Sequence, residues 1–353
     1  MDRRLLRRLK KAGRETRVWS RNGMRILVLK DGGRLLGLYA PDSKENFFWV
    51  NPRIYGDAQS VWKAKWPNPG GDRCWLSPAC GIHLDQNGDH ARYQIPERID
   101  PGYHDMERWK GGMMRLCNVG KIFLRKAGKK DTFALERYVS WAENPLCHME
   151  EDWVGRLFYA GYSQKTRLES LSCNRNNLSI WNILQVPTGG EVFIPAYNGK
   201  SIPRACLGMN SRNLVRIEDA GIILRADGKK NCMISIPPQM STGRIGYVRQ
   251  AGKEWTLVVR SFHVNPSGEY LNCMIGASGK PGYAVQCRIV SDGDASHVEL
   301  HHHVPVNSSQ VIYDTCQTWC FRGNQKNIHC AAACLTGYES VPSNRRCHRE
   351  GGL

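Results

Sequence analysis

The chain holds no stretch of about 18 or more apolar residues, so it contains no candidate transmembrane helix. Its first seventeen residues, MDRRLLRRLKKAGRETR, carry only Leu5, Leu6 and Leu9 between charges. That is too little for the apolar core of a signal peptide, and a cytoplasmic location with reduced thiols is expected. No internal repeat or low-complexity tract is present; the 35 glycines and 17 prolines are spread along the chain, as suits a fold with many turns. Acidic residues are the scarce charge. Asp and Glu number 32 against 50 Lys and Arg, a net +18, so polyanions should be attracted. The first seventeen residues supply eight bases against Asp2 and Glu15. This basic N-terminal tail or short helix (1–17) is expected to make weak electrostatic contact with polyanions.

Helical periodicity is also scarce. Strand-like pieces separated by turn residues recur instead, from GMRILVLKDGGRLLGLYAP, with a turn at Lys30-Asp31-Gly32-Gly33, to HVELHHHVPV at 297–306. NFFWVNP (46–52) reads as a short strand stopped by proline, and 55–82 as a long irregular excursion rich in Pro, Gly and Trp. At least twelve strands predict an all-β fold, a large antiparallel two-sheet β-supersandwich over 18–322. QKNIHCAAACLTG (325–337) predicts a short C-terminal helix within a Cys-containing tail, 323–353.

Fourteen cysteines are far from disulfide-scaffold density. Cys316, Cys320, His329, Cys330, Cys334, Cys347 and His348 could assemble a zinc site if CQTWC and CAAAC are helical. Their order matches no finger spacing, and small thiols packing a terminal helix are the expected role. No metal and no cofactor is expected.

Four stretches hold the candidate site residues. GGDRCWLSPACG (70–81) lacks the Lys-Ser/Thr of a P-loop and a second Cys or His pair for zinc. It offers Arg73, whose fork can bind hydroxyls or carboxylates, beside Trp75, whose face can stack on a sugar; a structural Arg-Asp pair and a packed Trp would read the same. In WNILQVPTGGEVFIP (181–195), Trp181, Ile183 and Gln185 share one strand face. In WTLVVRSFHVNPSGEY (255–270), Arg260 and His263 point to opposite faces, and Arg260 needs an acceptor or solvent. In HVELHHHVPV, His297, Glu299, His301 and His303 fall on one face and Val298, Leu300 and His302 on the other. A carboxylate among imidazoles suits acid–base chemistry, while a polar solvent-facing strand is the plainer account and a histidine-bound metal needs ligands from elsewhere.

In this order the motifs resemble the galactose mutarotase-like (aldose 1-epimerase-like) superfamily, most closely its uncharacterised bacterial branches. Those carry a GGD/H-R-x-W-x-x-P-E signature, here GGDRCWLSPA; a W-x-x-x-Q-x-P-x-G-G-x-x-x-x-P strand pair, here WNILQVPTGGEVFIP; and a late Glu-Leu-Glu, here Glu299-Leu300-His301. The resemblance spans about 20–322. It implies a carbohydrate ligand, a proton-accepting role for Glu299, a sugar-holding role for Arg73, and a histidine acid among His83, His104, His263 and His301. Trp75, Trp181, Gln185, His83 and Arg260 are the further candidate ligand contacts. Ala79 and His301 stand where the resemblance leads one to expect glutamates. Three functions follow as expectations: a carbohydrate-binding protein, with or without acid–base action on the sugar; a non-catalytic protein tethered to an anionic polymer by its basic tail; or a metal-dependent enzyme using the histidine strand.

Overall fold

The computed structural model describes residues 1–82, 95–108, 110–124, 128–171, 178–208, 211–272, 282–307 and 309–337. Within them two antiparallel sheets stack face to face. The first has eight strands in the order β1 (Thr16–Arg21), β2 (Met24–Leu29), β3 (Arg34–Tyr39), β4 (Asp72–Ser77), β9 (Ser179–Pro187), β17 (His297–His303), β16 (Val285–Val290) and β13 (Cys232–Ile236). The second has ten: β11 (Val215–Glu218), β12 (Gly221–Ala226), β10 (Gly190–Pro195), β14 (Arg244–Ala251), β15 (Glu254–Phe262), β18 (Val311–Gly323), β8 (Phe158–Ser170), β7 (Lys129–Trp141), β6 (Met114–Leu124) and β5 (Asp105–Arg108). The all-β two-sheet architecture is therefore as the turn-punctuated sequence predicts.

Strand alternation builds the core. Ile26 and Val28 of β2, Leu184 and Val186 of β9, and Val298 and Leu300 of β17 point between the sheets, where they meet Val139, Tyr162, Ile245 and Val258 from the second sheet. Alternate residues of the same strands form the outer face of the eight-stranded sheet. That face is largely covered too: every residue of β4 and of β17 is buried. The expectation that β17 is a solvent-facing polar strand is corrected, because β9 and β16 flank it and other segments cover its outer side.

Four α-helices accompany the sheets among the described residues: α1 (Arg3–Lys11), α2 (Arg53–Lys63), the single-turn α3 (Ala79–Ile82) and α4 (Gln325–Thr336). The basic N-terminal segment forms α1, capped by Asp2, whose Oδ1 accepts from the backbone N–H of Arg4 at 2.7 Å and of Leu5 at 3.3 Å. Leu5 and Leu9, one turn apart, are fully buried against Leu27, Leu29, Leu36, Ile54 and Val61. β4 and all but the first two residues of α2 arise inside the stretch read as an irregular excursion. β4 escapes a period-two reading because it is central and buried on both faces, so its residues need not alternate in polarity. Conversely, NFFWVNP yields only an isolated bridge from Val50 to Gly70. α4 is where the sequence places it: Asn324 caps its start, Gly337 at φ 68° ends it, and Ile328, Ala331 and Leu335 pack on Leu257, Val259 and Phe321.

Candidate functional site: a polar face on the eight-stranded sheet

Three neighbouring strands bring the site together. β9 lies between β4 and β17, with Arg73 opposite Ile183, Trp75 opposite Trp181, and Glu299 opposite Gln185. By alternation Arg73, Trp75, Trp181, Gln185, Glu299 and His301 all project from the outer face. The Arg73 Nη2 donates to Glu299 Oε1 at 3.0 Å, and Gln185 Nε2 donates to the same oxygen at 3.1 Å. Gln185 Nε2 also lies 2.9 Å from His297 Nε2, and His301 Nε2 lies 3.3 Å from Glu299 Oε2. Arg73 is 1% exposed and Glu299 3%, so the ion pair is shielded from water.

The electrostatics follow from that burial. Loss of solvent pushes the Glu299 carboxyl up, but the imidazoles of His297 and His301 and the Arg73 charge outweigh it and hold the carboxyl well below its usual range. Burial lowers His301, with Glu299 only partly opposing, and lowers His303 well below the ordinary histidine range. At neutral pH the site thus holds an ionised Glu299 beside a neutral His301. In that state His301 gives its Nε2–H to Glu299, leaving Nδ1 as an acceptor.

The aromatic residues divide into two roles. Trp75, expected to stack on a sugar, is instead a platform for Arg73, whose guanidinium carbon sits 4.3 Å from its ring centre. Its Nε1–H donates to Asp100 at 3.0 Å, and Asp100 also pairs with the buried Arg34. Trp66 and Trp181 meet Trp75 edge-on at 5.7 and 5.4 Å, and both are only partly buried, which places them at the rim. Further out, Trp49 stacks on His297 at 4.2 Å, and His303 Nε2 donates to Gln286 Oε1 at 2.9 Å. Sequence reasoning missed Trp66, Asp100, Arg34, Trp49 and Gln286. Only Trp66 carried a signal, as one of the tryptophans of the irregular stretch.

Arg73 Nε and Nη1, Gln185 Oε1 and His301 Nδ1 are buried on this face and have no hydrogen-bond partner among the described residues. Leaving such atoms unpaired is costly. Two donors and two acceptors on adjacent strands match the alternating donor and acceptor capacity of sugar hydroxyls.

Other candidates lie elsewhere. Arg260 is corrected: it projects from the second sheet into the space between the sheets, where its Nη2 donates to Asp72 Oδ2 at 3.1 Å. Asp72 and Arg73 are neighbours on β4 and face opposite ways, so Arg260 has no access to Glu299. His263 is exposed just past the end of β15 in the second sheet and is likewise not part of this face. His104 is buried against Gly33 and Gly102, and burial beside Arg137 and Arg34 lowers it to about 3, so it is a neutral imidazole and not an imidazolium acid at neutral pH. His83 lies outside the described residues, as do Cys347 and His348.

Among the described residues one group has metal-ligand proximity: His302, Asp314 and Cys316, with ligand atoms within 4.8 Å of one another. It lies between the sheets rather than on the outer histidine face. The Arg260 guanidinium contacts the Cys316 sulfur at 3.4 Å, and burial pushes the Cys316 thiol up to about 12. A cation there would face a fixed positive charge and a protonated thiol, so the trio fits a charge-balanced core network. CQTWC is on β18, not on a helix, which spreads Cys316 and Cys320 along a strand.

No family model matches the chain, and no curated protein matches it in sequence. Solved structures do resemble it in shape. A galactose mutarotase-like protein from Lactobacillus casei aligns at TM-score 0.48 and 8% identity, over 88% of this chain and 99% of that one. The Slr1438 protein of Synechocystis sp. aligns at 0.48 and 10% over 88% and 95%. The GalM/aldose epimerase homologue from C. elegans aligns at 0.41 and 8% over 88% and 99%.

Proposed function

We propose that the outer face of the eight-stranded sheet binds a carbohydrate, and that the chain is a sugar-binding sandwich of the galactose mutarotase-like kind. The observation that carries this reading is the set of unpaired buried atoms, Arg73 Nε and Nη1, Gln185 Oε1 and His301 Nδ1, gathered around one ionised carboxylate. A hydroxylated ring satisfies donors and acceptors together. The order of motifs from GGDRCW to Glu299 favours the same ligand class.

Binding is better supported than acid–base turnover. Glu299 is held low by its partners and is a weak base; His301 is neutral and spends its proton on Glu299. Glu299 is thus not poised near neutral pH as a general base would be. The test is calorimetric titration with a panel of aldoses and oligosaccharides, on the natural protein and on Arg73→Lys. Lysine keeps the charge facing Glu299 but removes the guanidinium's spare N–H groups. Affinity should fall at least tenfold, about 1.4 kcal/mol. Unchanged affinity in Arg73→Lys, or no sugar bound at all, would overturn the reading. Polarimetry on the same sugars should give the spontaneous mutarotation rate.

A further inference from the structure

The basic N-terminal segment is not a loose tail but a helix docked on the molecule through Leu5 and Leu9. Leu27 and Leu29 of β2 and Leu36 of β3 support α1 and α2, whereas Ile26, Val28 and Leu35 point between the sheets. Leu35 pairs with the inward-facing Asp72, so Leu36 and Arg73 project from the same, outer face. Both helices therefore lie on the face that bears Arg73. They are joined to the site directly: α2 ends at Lys63, and the chain runs through Lys65 to Trp66, whose ring centre is 5.6 Å from the Arg73 guanidinium.

On the solvent side of α1, Arg3, Arg7, Lys10 and Lys11 are exposed and have no acidic partner among the described residues. They extend over about 12 Å of helix. The nearby acids are engaged elsewhere: Asp2 caps the helix, Glu15 pairs with Lys30 at 2.9 Å, and Asp31 pairs with Arg14 at 3.2 Å. Exposed Lys63 and Lys65 continue the basic strip toward Trp66. The inner site is different in character, because its two buried guanidiniums, Arg73 and Arg34, are each matched by a carboxylate.

A ligand recognised at both places must be a carbohydrate near Arg73 and an anion along α1. We propose that it is an acidic polysaccharide, with one sugar in the polar site and its carboxylate- or sulfate-bearing neighbours laid along α1 and the end of α2. The inference rests on the sugar-binding reading above and extends it to the substrate class. Two other polyanions fit less well. The apolar stripe of α1, Leu5 and Leu9, is spent on the core and is not free to enter a lipid surface. The aromatics near the strip, Tyr55 and Trp62, lie under Arg4 and Arg14 at 5.5 and 4.9 Å and are not free platforms for nucleic-acid bases.

The experiment uses the full chain and the variant Arg3→Gln/Arg7→Gln/Lys10→Gln/Lys11→Gln, which keeps helix-forming residues and leaves Leu5 and Leu9 in place. Circular dichroism and a melt confirm that it folds. Oligosaccharides of polygalacturonate, alginate and chondroitin sulfate are titrated at low and high salt beside their neutral counterparts, methyl-esterified for the first two and both desulfated and methyl-esterified for the third. At least one acidic oligomer should bind ten times or more tighter than its neutral counterpart, and the margin should vanish in the quadruple variant and at high salt. Equal affinity for every acidic and neutral pair overturns the proposal, as does a quadruple variant that keeps the margin. So does equal competition by duplex DNA or by anionic phospholipid vesicles. If the neutral oligomers bind and Arg73→Lys abolishes that binding, the sugar-binding reading stands even where the acidic preference fails. If no oligomer binds, both fall.

Discussion

At Arg73 and Glu299 two charges that would each be expensive alone are buried as a pair. Arg73→Ala leaves the carboxylate without its cation and should destabilise the protein by about 3–5 kcal/mol, read from urea unfolding. Acidity should act through the same neighbourhood. Glu299 is lowered in the fold, so its contribution is present above the ordinary carboxylate range and is lost as pH falls through that range toward its folded value. His104 is also lowered, from 6.5 to about 3. The unfolded chain therefore binds a proton at that histidine between those values while the folded chain does not, and stability falls as pH drops from about 6.5 toward 3. Melting temperatures measured from pH 8 to 4 should decline below pH 6.5, and His104→Gln should reduce the slope; an identical slope would show that His104 is not responsible. Arg73 was legible as a candidate from its neighbours in sequence, whereas the role of Trp75 was not. A tryptophan two residues from an arginine on one strand reads as a second ligand contact, and only the 4.3 Å stacking distance shows it to be the arginine's support.

At the scale of elements, α1 shows how a segment with the composition of a tail becomes structure. Its charges say little about order; Leu5 and Leu9 decide the matter, because they meet a ready apolar surface formed by β2, β3 and α2. Leu9→Ala should cost about 2–5 kcal/mol and speed proteolysis at the N-terminal arginines. An unchanged cleavage rate and midpoint would mean that α1 is not docked in solution. β17 and β4 show the opposite limit. The period-two reading put His297, Glu299, His301 and His303 on one face of β17 correctly, but it left open whether that face meets water. A strand buried on both faces has no polarity contrast to announce its depth, and β4 gave no strand signal at all for the same reason.

For the whole molecule, the inter-sheet network is the feature that joins the two layers. Asp72 of β4 accepts from Arg260 of β15 at 3.1 Å, lies 3.6 Å from Arg137 of β7 and accepts from the Tyr162 hydroxyl of β8. Asp72→Asn removes the charge that two buried guanidiniums share and should destabilise by about 3–5 kcal/mol, lowering the denaturant midpoint with little change in the slope. Retention of the midpoint would show that the sheets are held by apolar packing alone. The same network explains why Arg260 misled: an arginine in an apolar run needs an anion, and sequence does not say from which side it comes.

The sequence by itself determined the strand-rich class, the C-terminal helix, and the face on which each residue of β9 and β17 projects, because these depend on local periodicity and turn chemistry. Tertiary structure alone decided that Arg73 meets Glu299, 226 residues away, since that requires β4, β9 and β17 to be neighbours across long connections. It also decided that the basic helix shares a face with them. Which strands lie side by side is settled by how all the apolar faces are buried at once, a property no single stretch of the chain contains.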